Sequence, residues 1–305
     1  MKQELQLFNA ILKKGEKKGQ LNTRKKRIKF IFRSILLFKL MIRLGNFILN
    51  HKYLKEKVYS YPILLSKLHR PYLIKNMKKQ EKLKAIIDTY QIIDKCFSNC
   101  FLKELYLNKQ VVLAEFNGKN ESTYYIVLGL YPEYDKEGEI NLKFLDKDKN
   151  TLATITFSLF KSKSSKLILF IGGIQGAKRG IGKDYIRDVT KSLYGIFPKK
   201  ILIEVLYMLE ELLNIDFEKY SVGNKTHVYR AQRYIRKRTI LSDYDSFLFS
   251  LGAEKIKNDI WKLPEKLIKK ELDTIPSKKR SQHIKKIQLL SDIEKELKKR
   301  IDFFN

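Results

Sequence analysis

The chain has 305 residues, with 63 Lys and Arg against 33 Asp and Glu, for a formal net charge of +30. Its 44% apolar content, rich in Leu, Ile, Phe and Tyr, excludes a disordered polycation and is enough for a buried core. Two cysteines, Cys96 and Cys100, exclude a disulfide scaffold and a multi-cysteine zinc module, and fit a reducing cytosol. Their spacing of one helical turn places them on one face of a helix as small hydrophobes. The histidines His51, His69, His227 and His283 are too scattered to define a metal site, so no metal ligand is assigned.

The charge is uneven. Residues 1–100 hold 24 Lys and Arg against 6 Asp and Glu, a net of +18. Residues 101–175 are close to neutral at +1, and the remainder carries +11. The change near residue 105 marks the expected domain boundary: 1–105 a basic helical region, 106–305 an α+β domain. No acidic residue occurs between Glu16 and Glu56. Within that stretch, residues 28–44 form an apolar run interrupted by Lys29, Arg33, Lys39 and Arg43. On one helical wheel these four cations share about a third of the circle. Each would cost ~2.5–3.5 kcal/mol at the centre of a bilayer, which argues against a spanning helix. The run also comes too late for a signal peptide and lacks a cleavage site. Two readings remain. An interfacial helix on an anionic membrane would contact lipid through Lys25, Lys26, Arg27, Lys29, Arg33, Lys39 and Arg43. A helix packed on the protein body would place the same cations at its rim. In the first reading, residues 1–50 are removable without unfolding the core.

Prolines and mixed spacing over residues 53–75 predict a loop and a short helix. Residues 79–107 predict a helix, with Leu83, Ile86, Tyr90, Ile93 and Phe97 recurring at three and four. The period then changes. Residues 124–130, 139–144, 151–160 and 166–173 read as strands joined by short turns, an antiparallel meander. Gly138 falls in a polar connection where substitution is expected to be tolerated, more so than at Gly173. Helices are predicted over 184–194 and 199–213, a short strand over 219–223, and a helix over 243–251 capped by Ser242 or Asp243. A closing strand over 259–263 and a basic amphipathic helix over 278–301 complete the chain. Ile284, Ile287, Leu290, Ile293, Leu297 and Ile301 form the apolar stripe of that helix.

The most informative segment is Ile171 to Lys183, a glycine-rich turn between a strand and a helix. Gly172, Gly173, Gln175 and Gly176 would offer backbone amides or an amide side chain to a phosphate or pyrophosphate, with charge from Lys178 and Arg179. The alternative is a tight connection that needs glycine dihedrals. Asp184 stands where a P-loop would carry Ser or Thr. Thr190 and Lys191 on the next helix, and Asn224, Asp243 and Tyr244 further on, complete the candidate ligand set. For Thr190 and Lys191 the alternative is surface residues; for Asp243 it is a helix cap. His227 is the candidate general base, with a structural histidine bonded to a backbone carbonyl as the alternative. No nucleophile elbow or zinc-protease motif is present. The +30 charge alone would support salt-sensitive, nonspecific contact with nucleic acid, without a recognition-helix motif.

Taken together, Ile171-Gly-Gly-Ile-Gln-Gly176, Thr190-Lys191, Gly195-Ile-Phe-Pro-Lys199, Ser221-Val-Gly-Asn224, His227-Val-Tyr229, Asp243-Tyr-Asp245 and Trp261-Lys-Leu-Pro264 resemble the bacterial VirK/YbjX family. The family's usual His-Gly-Leu-Arg-Pro-Lys run departs here, with Tyr194 and Phe197 in place of His and Arg. The resemblance implies a bacterial protein on the cytoplasmic side, linked to virulence and to envelope and DNA-damage stress, without implying a reaction. The order of elements looks like the acyl-CoA N-acyltransferase (GNAT-like) topology, a mixed and mostly antiparallel sheet with helices. That likeness would make acyl-CoA the ligand and an acyltransferase the activity. The glycine motif is imperfect, with Ala177 preceding Gly180 and Gly182.

Overall fold

The basic N-terminal region forms helices because its apolar residues recur at three and four. The structure, a computed structural model, describes residues 2–14, 21, 23–119, 121–178, 180–234, 243–268 and 271–304. Arg179 and Ser242 lie outside these residues. Helix α1 (Lys2–Lys14) buries Leu7 and Ile11. Helix α2 (Arg24–Leu36) is started by Thr23, whose hydroxyl accepts from the Lys26 N–H at 3.3 Å. The backbone breaks at Leu37, and α3 (Phe38–Asn50) continues in a new direction. The single wheel expected for residues 28–44 is therefore corrected: Lys29 and Arg33 belong to α2, Lys39 and Arg43 to α3. Helix α3 buries Met41, Leu44 and Ile48 and lays Gly45 against Glu4 and Phe8 of α1. Residues 1–50 thus contribute buried side chains to a single hydrophobic cluster that runs from Leu7 to Phe304, and cannot be removed without opening it. The expected boundary near residue 105 falls within that cluster.

Two short helices, α4 (Leu54–Ser60) and α5 (Ile63–Ser66), and a 3₁₀ turn (Lys67–His69) lead into α6 (Lys79–Cys96). The helix expected over 79–107 is two helices. Phe97 is extended, and the Ser98 hydroxyl caps α7 (Asn99–Asn108) by accepting from the Phe101 N–H. Cys96 ends one helix and Cys100 starts the other, so they do not share a helix face. The serine cap wins locally over continuous periodicity.

Five antiparallel strands follow: β1 (Gln110–Asn117), β2 (Thr123–Leu130), β3 (Ile140–Leu145), β4 (Thr151–Lys161) and β5 (Leu167–Gln175). Helices α8 (Lys183–Ser192) and α9 (Pro198–Leu212) then cross to β6 (Glu218–Val222), which pairs parallel with β5 from Ile168↔Glu218 to Ile171↔Ser221. Helix α10 (Tyr244–Ser250) precedes the hairpin β7 (Glu254–Ile256) and β8 (Ile260–Lys262). The sheet order is β1-β2-β3-β4-β5-β6-β8-β7, an α+β architecture with one parallel pair. Strand β4 is buried from Thr151 to Leu159, with α6 and α9 packed on it. The last helix, α11 (Ser277–Phe304), buries Leu289, Ile293, Leu297, Ile301 and Phe304. Ile284 and Ile287, expected in its stripe, are exposed, because a helix of 28 residues, about 42 Å long, outruns the surface it covers.

Candidate functional site

Beyond Ile171↔Ser221 the parallel strands β5 and β6 part, and most of the sequence-predicted site gathers in the gap. Glycines 172 and 173 lie inside β5 rather than in a turn. A Cβ on Gly172 would overlap the Glu137 carbonyl, and one on Gly173 would overlap the Glu137 carboxylate. These glycines exist so that the Tyr134–Glu139 segment can lie flat on the strand. Glu137 is fully buried. Its carboxylate accepts from Gln175 Nε2 at 3.0 and 3.3 Å. The Tyr244 hydroxyl accepts from the Ile174 N–H at 3.0 Å and from Gln175 Nε2 at 3.2 Å. Burial and the neighbouring Glu137 charge hold the Tyr244 phenol well above its usual range.

His227 closes the network. Its Nδ1 accepts from the Tyr229 N–H at 3.2 Å, which leaves Nε2 to carry the proton. Nε2 lies 3.4 Å from Glu137 Oε1, at ion-pair range but without hydrogen-bond alignment. His227, like Glu137, is 0% exposed. Among the described residues the His227 ring bonds no backbone carbonyl; it accepts from a backbone N–H and lies beside a carboxylate.

Asn224 joins the end of β6 to the start of α10. Its Oδ1 accepts from the Tyr244 N–H at 2.8 Å, and its Nδ2 donates to Asp243 at 2.9 Å. Asp243 caps α10, accepting from the Ser246 N–H and hydroxyl. Hydrogen bonds from Ser246 and Asn224 hold its carboxyl down at about 2. Asp245 accepts from the Asn224 N–H at 2.8 Å and from Trp261 Nε1 at 3.0 Å. The Ser221–Asn224, Asp243–Asp245 and Trp261 segments therefore meet as one latch between β6, α10 and β8.

The rest of the predicted set lies apart from this network. Gly176 and Lys178 border a hollow of about 10 Å³, room for a single water. The Lys178 ammonium is exposed, 3.7 Å from Glu133. The Thr190 hydroxyl donates to the Ile186 carbonyl of its own helix, and Lys191 pairs with Asp188 on the surface.

Gly138 sits between two buried acids, not in a tolerant loop. A Cβ there would overlap the Phe157 backbone. Glu139, also 0% exposed, accepts from Lys67 Nζ at 2.7 Å and from the Tyr90 hydroxyl at 2.7 Å. Sequence reading missed Glu137, Glu139 and Lys67, since their partners are distant in the chain.

It also missed a cleft of about 360 Å³ between α2, the Ser66–Arg70 segment and Arg233. Lys26, Lys29 and Arg33, three of the predicted membrane contacts, line it, together with His69, Arg70 and Arg233. The other predicted contacts on α2, Lys25 and Arg27, and those on α3, Lys39 and Arg43, do not. Burial, then the charges of Arg33, Lys79, Arg70 and Arg233, hold the His69 imidazole down at about 4. Elsewhere on α2, Ile28 (62%), Phe32 (61%), Ile35 (66%) and Leu36 (66%) are open to solvent.

The family described as "Protein of unknown function (DUF535)" matches residues 19–299. The protein named "Uncharacterized protein YbjX" of Escherichia coli (strain K12) is 32% identical over 273 residues, 89% of this chain and 82% of that protein. The chain belongs to the VirK/YbjX (DUF535) family. Two proteins of Haemophilus influenzae (strain ATCC 51907 / DSM 11121 / KW20 / Rd), each named "Uncharacterized protein", are more distant. One is 22% identical over 219 residues, 72% of this chain and 71% of that protein. The other is 26% identical over 177 residues, 58% of this chain and 57% of that protein. Of the family segments recognised in the sequence, those holding Gln175, Asn224, His227, Tyr244 and Trp261 meet at or beside the gap between β5 and β6, and Thr190-Lys191 does not.

Proposed function

We propose that this VirK/YbjX protein works at an anionic membrane surface, seated by α2 on the cytoplasmic face of the inner membrane, in the envelope and DNA-damage stress and virulence setting its family implies. The observation that carries this reading is the outer face of α2. Ile28, Phe32, Ile35 and Leu36 are each more than 60% exposed. Lys25 stands beside them on the same helix, and Lys39 follows on α3. Exposed apolar side chains flanked by cations suit the interface of an anionic bilayer, where each basic residue contributes ~1 kcal/mol. Among the described residues no helix is long and apolar enough to cross a membrane. Nonspecific nucleic-acid contact would use the same charge, but not the exposed Ile and Phe.

Co-sedimentation with phosphatidylglycerol vesicles tests the proposal. The full chain should bind them and should not bind phosphatidylcholine vesicles. The variant Ile28→Ser/Phe32→Ser/Ile35→Ser should lose about 10-fold or more in vesicle affinity, since each such side chain contributes ~1.5–3 kcal/mol when fully buried, with its melting temperature unchanged. Full binding by that variant, or no binding by the native chain, would overturn it.

The strand order and the β5–β6 parallel pair bridged by α8 and α9 also support a GNAT-like reading of the fold. The residues present do not fit an acyl-CoA reaching between those strands. Glu137, Gln175, His227 and Tyr244 fill the gap, and the hollow by Gly176 holds about one water.

A further inference from the structure

The cleft behind α2 gathers positive charge from three separate parts of the chain. Lys29 and Arg33 reach it from α2, where a separation of four residues puts them on one face. Arg70 follows the 3₁₀ turn Lys67–His69, and Arg233 comes from the segment after the Val228–Arg230 turn. Phe30 anchors the arrangement: it is buried, it meets the His69 ring edge-on at 5.0 Å, and its carbonyl accepts from the Ser34 hydroxyl at 2.8 Å. Backbone carbonyls take up part of the surrounding charge. Leu68 accepts from Lys79 at 3.0 Å, Arg70 accepts from Lys82, and His69 accepts from Arg233 at 3.5 Å. Among the described residues no carboxylate lines the cleft. Asp135 acts on Arg70 through space, but its carboxylate is held by Lys136 at 2.8 Å.

We infer that this cleft is a binding site for a dianionic phosphate group, a phosphomonoester or a diphosphate. Three physical facts carry the inference. The cations repel one another across a shared space, and an anion of charge near −2 removes that repulsion where a single carboxylate would remove less of it. Three guanidiniums, from Arg33, Arg70 and Arg233, present planar forks that match phosphate oxygens two at a time. The volume, about 360 Å³, is far larger than a chloride needs and falls in the range of small-ligand pockets. The crowding is visible on the neighbours: the His69 imidazole and the Lys79 ammonium are both held below their usual values, by burial first and by the surrounding cations next. The inference goes beyond the membrane proposal and does not need it, because Ile28, Phe32 and Ile35 are not among the residues that line the cleft.

The test uses the full chain at about 150 mM salt, where loose surface electrostatics are screened. Inorganic pyrophosphate and glycerol phosphate supply the group in solution; vesicles of phosphatidic acid supply it on a lipid, with phosphatidylglycerol at equal surface charge as the phosphodiester control. The expected result is a rise in melting temperature with a soluble phosphate, or tighter binding to phosphatidic acid than to phosphatidylglycerol. The first assigns the site to a soluble ligand, the second to a headgroup. Lys29→Gln/Arg33→Gln should weaken either response about 10-fold or more, equivalent to 1.4 kcal/mol. Its melting temperature without ligand should be equal or higher, which loss of a structural role would not give. Lys278→Gln/Lys279→Gln, which removes the same charge from the start of α11, should respond as the native chain does. The inference is overturned if neither phosphate source gives a response, or if Lys29→Gln/Arg33→Gln responds like the native chain.

Discussion

Two regions of this molecule crowd ionisable groups together, and they do so in opposite ways. Around Glu137 and Glu139 every buried carboxylate faces a partner: Gln175 and His227 for the first, Lys67 and Tyr90 for the second. In the cleft behind α2, cations face other cations. The first arrangement satisfies its own desolvation cost and fixes how the connection between β2 and β3 lies on the sheet. In the second, the exposed Lys29 and Arg233 and the half-buried Arg33 and Arg70 keep their mutual repulsion, and an anionic ligand is the natural means of removing it. The comparison separates charge that builds the fold from charge that awaits something outside it.

The largest expected effect breaks the carboxylate region at its backbone. Gly138→Val and Gly173→Val should each lose on the order of 4 kcal/mol of stability, because one overlaps the Phe157 backbone and the other the Glu137 carboxylate. Gly182→Ala, with nothing within 4 Å of its new Cβ, should stay within about 0.5 kcal/mol. Urea denaturation of the three variants measures this. A native-like Gly138→Val would mean that the Glu137–Glu139 segment does not lie on β4 and β5.

Removing one side of the buried ion pair comes next. Lys67→Met should cost ~3–5 kcal/mol, since it removes the cationic partner of Glu139, which is 0% exposed. Adding Glu139→Gln should recover a large part of that loss. Purely additive losses in the double variant would show that the pair is not coupled.

The cleft is sharpened by pH. His69 is held down at about 4 in the folded protein against 6.5 for a free imidazole, so the unfolded chain binds the extra proton between those values. Stability contributed by neutral His69 is therefore complete above pH 6.5 and is lost as pH falls toward about 4, a change on the order of 3 kcal/mol. His69→Asn should flatten that part of the stability profile. An unchanged slope between these pH values would place the titration elsewhere.

The smallest effect concerns His227. Its Nδ1 holds the Tyr229 N–H, and loss of such a buried partner costs ~1–3 kcal/mol. His227→Gln should lower the melting temperature by a corresponding few degrees, with complementation falling only in step with the folded fraction. Strong loss of complementation without loss of stability would return His227 to the role of a base.

Much of the fold was legible because its signals are local. The alternation in β3 and β4, the apolar run of β5 and the stripe of α9 each declare a period within a dozen residues. Strand β1 escaped because Glu115 and Asn117 interrupt its apolar pattern, and β7 because three exposed residues carry no pattern at all. The break at Leu37 escaped for a different reason. The apolar run continues through it, so no local signal marks it, and α3 then packs on α1, α4 and α6.

The site divides along the same line. Composition alone determined that this is a strongly basic chain with an apolar, cationic segment early on, and its motifs alone pointed to the family. Local pattern placed Gly173 at a strand and Asp243 at a helix start. Only the tertiary structure decided that Gly172 and Gly173 make room for Glu137 rather than for phosphate, that Lys67 finds Glu139 across 72 residues, and that Arg33 meets Arg70 and Arg233 around one cleft. The physical reason is range. Dihedral preference and periodicity act between near neighbours in the chain, whereas the energy of a buried charge depends on partners that only folding brings within a few ångströms.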